Sequence, residues 1–304
     1  MGKYGAGFPA ADRARVTLTR RQVTDLLATN GLHPSRSLGQ NFVADPNTVR
    51  RIARLAEIGP GDRVLEIGPG LGCLTLALAD TGASVTALEV DKHLMPVLER
   101  VVDTRPVTLI RADAMTADWH ELLGSEPGWV VVANLPYNIA TPLVADLLDS
   151  VPVIDRLLVM VQREVAARLS ASVGDDAYGA VSVKVAYWAE ASMVGRVPAS
   201  VFIPEPKVES ALVSIRRRPF PAVDTSMVSA AALFDLVRAG FATRRKMLRR
   251  SLAGLVSPAG FAEAGVRPES RAEELDVHAW GRLAAAAAGE ASASIVAASG
   301  TGDG

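Results

Sequence analysis

Between residues 63 and 172, short apolar segments alternate with longer segments of helical periodicity, and this alternation limits the possible folds more than any other feature. The short segments are rich in β-branched residues, which is typical of strands covered on both faces. Repeated strand–helix units with short connections predict a parallel, doubly wound α/β sheet. We predict strands at 63–67, 84–89, 106–110, 129–133 and 154–161, and helices near 71–80, 91–102, 116–123, 139–150 and 162–172.

Two helices are predicted before this pattern. Thr19 and Gln22 have the spacing of a capping box for a helix that ends near Asn30. Asp45 and Pro46 suit the N-cap and the first position of the next helix.

The segments after the pattern predict a second, smaller domain. Two strands, at 179–189 and 208–216, could pair antiparallel at the sheet edge, and RRRPFPAVD (216–224) has the composition of a linker. Helical patterns follow near 226–242, 244–255, 257–264 and 276–288. We therefore predict a disordered extension (1–16), a large domain (17–219), a small all-helical domain (220–289) and a disordered Ala/Ser/Gly-rich tail (290–304).

Composition narrows the class of protein. The single cysteine, Cys73, excludes an internal disulfide and a zinc site built from cysteine pairs. No apolar segment has the length of a signal peptide's core or of a membrane span, so we expect a cytoplasmic protein without a membrane partner. We assign no metal, because the histidines have no ligand-like spacing; they are His33, His93, His120 and His278.

The net charge of −1 conceals a basic segment. Between residues 204 and 255 there are ten basic and four acidic residues. The charge of the local surface, and not the net charge of the protein, determines whether a phosphate backbone binds. This segment therefore predicts a nucleic-acid-binding surface. An ordinary solvated face is the alternative that composition leaves open.

The segment VLEIGPGLGCLT (64–75) joins the first predicted strand to its helix through Gly68, Gly70 and Gly72. Glycines at this turn allow the backbone to approach a ligand closely. A dinucleotide fingerprint would place its third glycine where Cys73 stands. The G-x-G-x-G spacing therefore favours a ligand without phosphates over a nicotinamide dinucleotide.

Acidic residues follow the next two strands. Glu89 ends the second strand, 21 residues after Gly68, where an acid can bind both hydroxyls of a ribose. Asp113 follows the third strand, where it can accept a hydrogen bond from an adenine amino group. Because the carboxyl ends of parallel strands share one edge, these features predict a single pocket.

The fourth strand ends in Asn134-Leu135-Pro136-Tyr137. A plain turn would more often use Gly, Asp or Ser. The amide, the proline and the aromatic ring indicate a site selected for its side chains.

Together these motifs resemble the S-adenosylmethionine-dependent methyltransferases that act on amino nitrogens. The segments LGQNF (38–42), NLPYN (134–138) and FIPEPKVESA (202–211) resemble the ribosomal RNA adenine dimethyltransferase family, most closely its small-subunit branch. The resemblance covers roughly residues 18–288. It implies a Rossmann-like class I S-adenosylmethionine-dependent methyltransferase fold with a small C-terminal all-helical domain.

The resemblance also implies roles for individual residues. In the catalytic set, Asn134 and the Leu135 carbonyl would accept hydrogen bonds from the target amine, Pro136 would stiffen the turn, and Tyr137 and Phe202 would cover the two faces of the adenine. The residues expected to bind S-adenosylmethionine are Gln40, Asn41, Val43, Gly68, Gly70, Glu89, Val90, Asp113, Ala114 and Asn134. Those expected to contact RNA are Arg216, Arg217, Arg244, Arg245, Lys246, Arg249 and Arg250.

The implied activity is dimethylation of two adjacent adenosines near the 3′ end of 16S rRNA, within the 30S subunit, by a monomeric enzyme. Two alternatives are a resistance methyltransferase that acts on 23S rRNA and a non-catalytic rRNA-binding assembly factor. A nicotinamide oxidoreductase is disfavoured, because it would not explain the Asn-Leu-Pro-Tyr motif.

Overall fold

The computed structural model describes residues 17–299, with side chains as far as Glu290. The predicted disordered extension (1–16) and the last five residues lie outside this part of the chain. The chain divides into two compact units. Within the described residues, the first unit comprises 17–166 and 192–216, and the second comprises 167–191 and 217–299. The second unit therefore includes a segment upstream of the predicted boundary at 219/220.

Strands and helices alternate through the first unit, and helices predominate in the second. The strands are β1 (Phe42–Val43), β2 (Arg63–Ile67), β3 (Ser84–Glu89), β4 (Val107–Arg111), β5 (Trp129–Asn134), β6 (Ile154–Gln162), β7 (Ala189–Val197), β8 (Phe202–Ile203) and β9 (Ser210–Arg217). The α-helices are α1 (Arg20–Thr29), α2 (Pro46–Leu55), α3 (Cys73–Ala79), α4 (Met95–Val102), α5 (Trp119–Leu123), α6 (Ala140–Ser150), α7 (Arg163–Leu169), α8 (Ala180–Trp188), α9 (Ala230–Ala242), α10 (Leu248–Ser251), α11 (Pro258–Glu263) and α12 (Val277–Ser299).

The main sheet has the order β4-β3-β2-β5-β6-β9-β7, and β2 to β6 pair in parallel. The predicted parallel α/β sheet is confirmed. Because β3 and β5 lie on opposite sides of β2, the strand order reverses at β2. Loops on either side of such a reversal diverge and leave a crevice at the carboxyl ends of the strands.

The N-terminal helices begin as their capping residues predict. The Thr19 side chain and Gln22 form the predicted capping box of α1. Asp45 accepts a hydrogen bond from the Thr48 backbone N–H, and Pro46 is the first residue of α2. Each side chain satisfies a backbone donor that has no partner within its helix.

The strand predicted at 179–189 is wrong. This segment forms α8, and the strand β7 starts only at Ala189. The alternating sequence VSVKVAYW favoured a strand, but Val183 and Tyr187 are both buried among apolar side chains of the second unit, where α8 packs on α9 and α12. Tertiary burial on several faces of a segment overrides its local strand propensity. The other predicted strand, at 208–216, is confirmed as β9, which pairs antiparallel with β6.

Two helical predictions in the second unit have different bounds in the structure. The helix predicted at 244–255 is reduced to α10, and residues 243–247 form a turn that closes through a hydrogen bond from Lys246 N to Thr243 O. The helix predicted to end near 288 continues as α12 to Ser299, so it extends into the segment predicted to be a disordered tail. Among the described helices, none is long and apolar enough to cross a membrane.

Candidate active site

The carboxyl ends of β2, β3, β4 and β5 open into a cavity of about 920 Å³, a volume that includes its open mouth. All ten residues predicted to bind a cofactor line it. With Glu66, which is not one of the ten, the described lining has three carboxylate side chains, the others being Glu89 and Asp113, and it has no lysine, arginine or histidine. The cavity therefore suits a ligand that carries positive charge and no phosphate.

The glycine loop forms the floor of the cavity. Gly70 has a φ of +60°, which few residues with side chains adopt. A Cβ at this position would also lie 2.8 Å from the Phe42 ring, so the loop and β1 are in close contact. The backbone N–H of Gly70 donates to Glu89 Oε2 at 3.0 Å. Gly70 thus joins β1 and the end of β3 to the floor.

Glu89 is buried at the tip of β3. Its Oε2 accepts from Gly70 N and its Oε1 from Asp91 N, at 2.9 Å. Burial raises the pKa of this carboxyl, and the two backbone donors oppose the rise. Each carboxylate oxygen can accept a second hydrogen bond, so Glu89 can still bind a pair of ligand hydroxyls.

Glu66 is a site residue that the sequence analysis missed. It lies in β2, lines the cavity and is 1% exposed. Its Oε2 has no hydrogen-bond partner among the described residues. Burial, with a smaller contribution from Glu89, raises its pKa to about 8; the Thr75 hydroxyl opposes the rise without reaching hydrogen-bonding geometry. An unpartnered buried carboxyl with a shifted pKa beside a cavity marks a candidate functional site, and a cation bound next to it would favour its ionised form. The signal in the sequence was an acid within the otherwise apolar stretch VLEI (64–67).

The far wall of the cavity follows β3 and β4. Val90 is exposed at its mouth, whereas Ala114 is buried behind Asp113. Asp113 Oδ1 accepts from the Met115 backbone N–H at 2.9 Å, which fixes the carboxylate. Its Oδ2 has no partner among the described residues, so it can accept from a ligand amine.

The LGQNF segment covers one side of the cavity. Gln40 Nε2 donates to Asp91 Oδ2 at 2.8 Å, and Gln40 Oε1 accepts from Ser35 N at the same distance. Asn41 Nδ2 donates to Gly39 O. Val43 is buried, and its strand β1 pairs with β8. These bonds hold the segment against the tip of β3.

A hydrogen bond from its own amide NH₂ group orients the Asn134 side chain. Its Nδ2 donates to the Asn41 backbone carbonyl at 2.9 Å. This assignment leaves Oδ1 as the free acceptor in the cavity. The Leu135 N–H is bonded to Met160 O, while the Leu135 carbonyl has no donor among the described residues. Two acceptors are therefore available on consecutive residues of this turn, the number that an NH₂ group can use.

Pro136 and Tyr137 fix the turn after β5. The Pro136 carbonyl accepts from both Ile139 N and Ala140 N, which starts α6. The Tyr137 hydroxyl lies 3.0 Å from Ser210 Oγ. Burial raises the pKa of this hydroxyl, so it stays protonated at neutral pH. The ring is half-buried and lines the cavity.

The structure does not bring Phe202 to the cavity. The side chain is 1% exposed and belongs to the main hydrophobic core, and β8 pairs it with Val43 of β1. The prediction that its ring covers one face of the adenine is therefore not met by this geometry. Its observed role is to support the strand that forms the cavity wall.

The basic residues predicted to contact RNA fall into two groups. Four are engaged within their own unit: Arg216 pairs with Glu57 at 2.5 Å, Arg217 lies over the Trp188 ring at 6.0 Å, Arg244 pairs with Glu273 at 2.5 Å, and Arg249 pairs with Glu269 at 3.5 Å. The other three are exposed and have no acidic partner among the described residues; they are Arg245, Lys246 and Arg250.

Comparison with known proteins identifies a family. The model of the family described as "Ribosomal RNA adenine dimethylase" matches residues 32–288. Two bacterial proteins named ribosomal RNA small subunit methyltransferase A are similar over most of their length. That of Streptomyces coelicolor is 46% identical over 273 residues, covering 86% of this chain and 94% of the relative. That of Thermobifida fusca is 46% identical over 276 residues, covering 88% and 95%.

Two solved structures have the same fold. The 23S rRNA methyltransferase ErmE is 29% identical, with a TM-score of 0.65 over 82% of this chain and all of that one. A dimethyladenosine transferase from Plasmodium falciparum is 23% identical, with a TM-score of 0.66 over 80% of this chain and 95% of that one. The predicted class I methyltransferase fold is confirmed.

Proposed function

This chain belongs to the ribosomal RNA adenine dimethylase family, and we propose that it transfers methyl groups from S-adenosylmethionine to N6 of two adjacent adenosines near the 3′ end of 16S rRNA. The observation that carries the proposal is the juxtaposition, in one cavity, of a cation-binding carboxylate lining and the two hydrogen-bond acceptors of the Asn134–Leu135 turn.

The cavity residues fit S-adenosylmethionine by their chemistry. When bound, this cofactor supplies a methyl group on a positively charged sulfur, which is a good leaving group. Glu89 would hold the ribose hydroxyls and Asp113 the adenine amine. The unpartnered Glu66 would face the positively charged methionine end of the cofactor, which Asn41 and Val43 would also contact.

The Asn134–Leu135 turn activates the target amine. An adenine N6 is a weak nucleophile because its lone pair is delocalised into the ring. Hydrogen bonds from both N–H groups, to Asn134 Oδ1 and to the Leu135 carbonyl, pull the nitrogen towards a tetrahedral shape and aim its lone pair at the methyl group. Pro136 fixes both acceptors in advance, so no reorganisation is needed during transfer.

Tyr137 and the surrounding fold position the base. The target adenine must leave its stack to enter the cavity. Stacking on an aromatic ring contributes about 1–3 kcal/mol per base. The cofactor would supply the methyl group, with its sulfur as the leaving group, and the extra proton on N6 would pass to solvent after the transfer. No strong general base is required.

The small-subunit substrate is supported by the relatives at 46% identity, whose names refer to the small subunit. ErmE, which is named for 23S rRNA, is 29% identical. An experiment that offers both rRNAs therefore distinguishes the two substrates.

The test is methyl transfer from labelled S-adenosylmethionine to unmethylated 30S subunits, 50S subunits and naked rRNA, in parallel. We expect N6,N6-dimethyladenosine, identified by mass, only in small-subunit material. Label in large-subunit RNA would assign the chain to the other substrate, and tight RNA binding without transfer would make it a binding factor. Titration with S-adenosylmethionine and with NAD checks the cofactor, since only the first is expected to bind.

A further inference from the structure

The first unit carries a group of arginines that have no acidic partner among the described residues. Within residues 17–57 there are six arginines and three acidic residues. The acids are already engaged: Asp25 pairs with Arg21, Asp45 caps α2, and Glu57 pairs with Arg156 and Arg216. The unneutralised arginines on α1, α2 and the end of β7 are Arg20, Arg50, Arg51, Arg54 and Arg196, which we call the α1–α2 cationic surface.

Three of these arginines, Arg20, Arg51 and Arg196, meet at the segment 195–202. Arg20 donates from its guanidinium to the carbonyls of Ser200, at 2.6 Å, and Phe202, at 2.9 Å. Arg51 Nη1 donates to the Arg196 carbonyl at 3.1 Å. A Cβ on Gly195 would collide with the Arg51 guanidinium, so the glycine leaves room for it. Helices α1 and α2 thus border one short segment, each through an arginine.

Stability does not account for the two exposed charges of Arg50 and Arg54 on α2. Arg50 and Arg54 are exposed and lie four residues apart on α2, and like charges at this spacing destabilise a helix by about 0.2–0.5 kcal/mol. Among the described residues, the side-chain partner of Arg50 is the neutral Asn47 Oδ1, at 3.4 Å. Elsewhere in the unit, arginines such as Arg105 and Arg163 pair with carboxylates. A concentration of uncompensated cations suits an external polyanion.

The surface adjoins the cavity wall. Segment 195–202 leads into β8, which pairs with β1, and Phe42 and Val43 of β1 line the cavity. A strand of RNA held on this surface would therefore lie next to the segment that covers the site.

We propose that the α1–α2 cationic surface binds the sugar-phosphate backbone of the rRNA substrate, as a second contact distinct from the basic turn at 243–247. The inference rests on the proposed function, since it names a further contact of the same RNA. Contacts of this kind give affinity and register without reading sequence.

The test compares R50Q/R54Q with a matched control, R63Q/R105Q, in the full-length protein. Both variants remove two formal positive charges. The control charges are engaged, since Arg63 donates to the Glu126 and Pro127 carbonyls and Arg105 pairs with Asp80. They also stand at the amino ends of β2 and β4, the opposite edge of the sheet from the cavity. The probe is a labelled RNA of the 3′ region of 16S rRNA. Its binding is measured between about 50 and 300 mM salt, a range over which phosphate contacts change affinity steeply. Thermal unfolding checks that both variants are folded.

We expect R50Q/R54Q to weaken RNA binding about tenfold near 0.1 M salt and to reduce the slope of log K against log salt by about 1.5, the value for two lost phosphate contacts. The control should match the wild type in slope. Equal slopes in all three proteins would overturn the inference. So would weaker binding of 30S subunits, measured in parallel, with unchanged binding of naked RNA, because that result would indicate a protein contact. Failure of the wild type to methylate 30S subunits would instead reject the proposed function, whatever the slopes of the variants.

Discussion

The hydroxyl groups of Tyr137 and Ser210 lie 3.0 Å apart and join the turn after β5 to β9, across the intervening strand β6. Ser210 is fully buried, whereas the Tyr137 ring lines the cavity. A tyrosine that stacks on a base must hold its ring at one angle, and the bond to a buried serine restricts that angle. Ser210 is therefore a positioning residue for Tyr137.

This relationship predicts that Tyr137→Phe and Ser210→Ala have the same effect. Each removes the same hydrogen bond, worth about 0.5–1.5 kcal/mol, so each should lower kcat for methyl transfer by about 2–10-fold. S-adenosylmethionine affinity should be unchanged. The double variant should be no slower than either single one, because the bond can be lost only once. Multiplicative losses in a double-mutant cycle would contradict the coupling.

Asn134→Ala should abolish most of the transfer while changing cofactor affinity far less. The substitution removes the Oδ1 acceptor and the bond to the Asn41 carbonyl that orients it. Loss of one preorganised hydrogen-bonding group in a transition state costs about 10²–10³ in rate. Asn138→Ala is the matched control, because Asn138 belongs to the same motif and is exposed outside the cavity lining. Comparable loss of rate in both variants would point to a general defect of the turn.

Glu66 predicts a pH dependence of stability in the cofactor-free protein. Its ordinary pKa of 4.5 is raised to about 8 by burial, so between these values the folded state keeps a proton that the unfolded state has lost. The contribution of Glu66 to the free energy of unfolding is therefore fully present below pH 4.5 and is lost as pH rises towards 8. Between these values the free energy of unfolding falls by at most about 1.4 kcal/mol per pH unit.

The comparison that isolates this effect is wild type against Glu66→Gln. The amide has the same shape and cannot lose a proton, so the Tm of the variant should fall less between about pH 5 and pH 8. A bound cation would favour the ionised carboxylate, and S-adenosylmethionine should therefore reduce the difference. Parallel Tm curves without cofactor would mean that Glu66 is already ionised in the folded state.

The outline of the site was predictable because it depends on local order along the chain. Each parallel strand ends at the same edge, so Gly68, Glu89, Asp113 and Asn134 could be assigned to one pocket from their positions after successive strands. The caps at Thr19 and Asp45 are equally local. Such features need no knowledge of what packs against them.

The features that were missed depend on contacts between distant segments. Phe202 is buried because β8 pairs with β1, a contact between segments far apart in the sequence that no spacing reveals. The engagement of Arg216 by Glu57 is of the same kind. Composition indicated where positive charge is concentrated, but it could not indicate which charges are already neutralised.

Arg244 is neutralised by an ion pair, whereas its neighbours Arg245 and Lys246 have no acidic partner among the described residues. Arg244 Nε lies 2.5 Å from Glu273 Oε2, and its Nη2 donates to the Asp176 carbonyl at 2.7 Å, so it ties the turn at 243–247 to two other segments of its unit. Arg244→Gln should lower Tm and leave the salt dependence of RNA binding nearly unchanged. Arg245→Gln with Lys246→Gln should do the reverse, with Tm unchanged and a slope smaller by about 1.5, because each free cation releases counterions when it meets a phosphate.

The slopes come from titrations of the 16S 3′-region RNA and the Tm values from thermal melts of the same preparations. If Arg244→Gln reduced the slope as much per charge as the double variant does, its ion pair with Glu273 would have to open on binding. The division of the basic residues into engaged and free would then not predict RNA contacts.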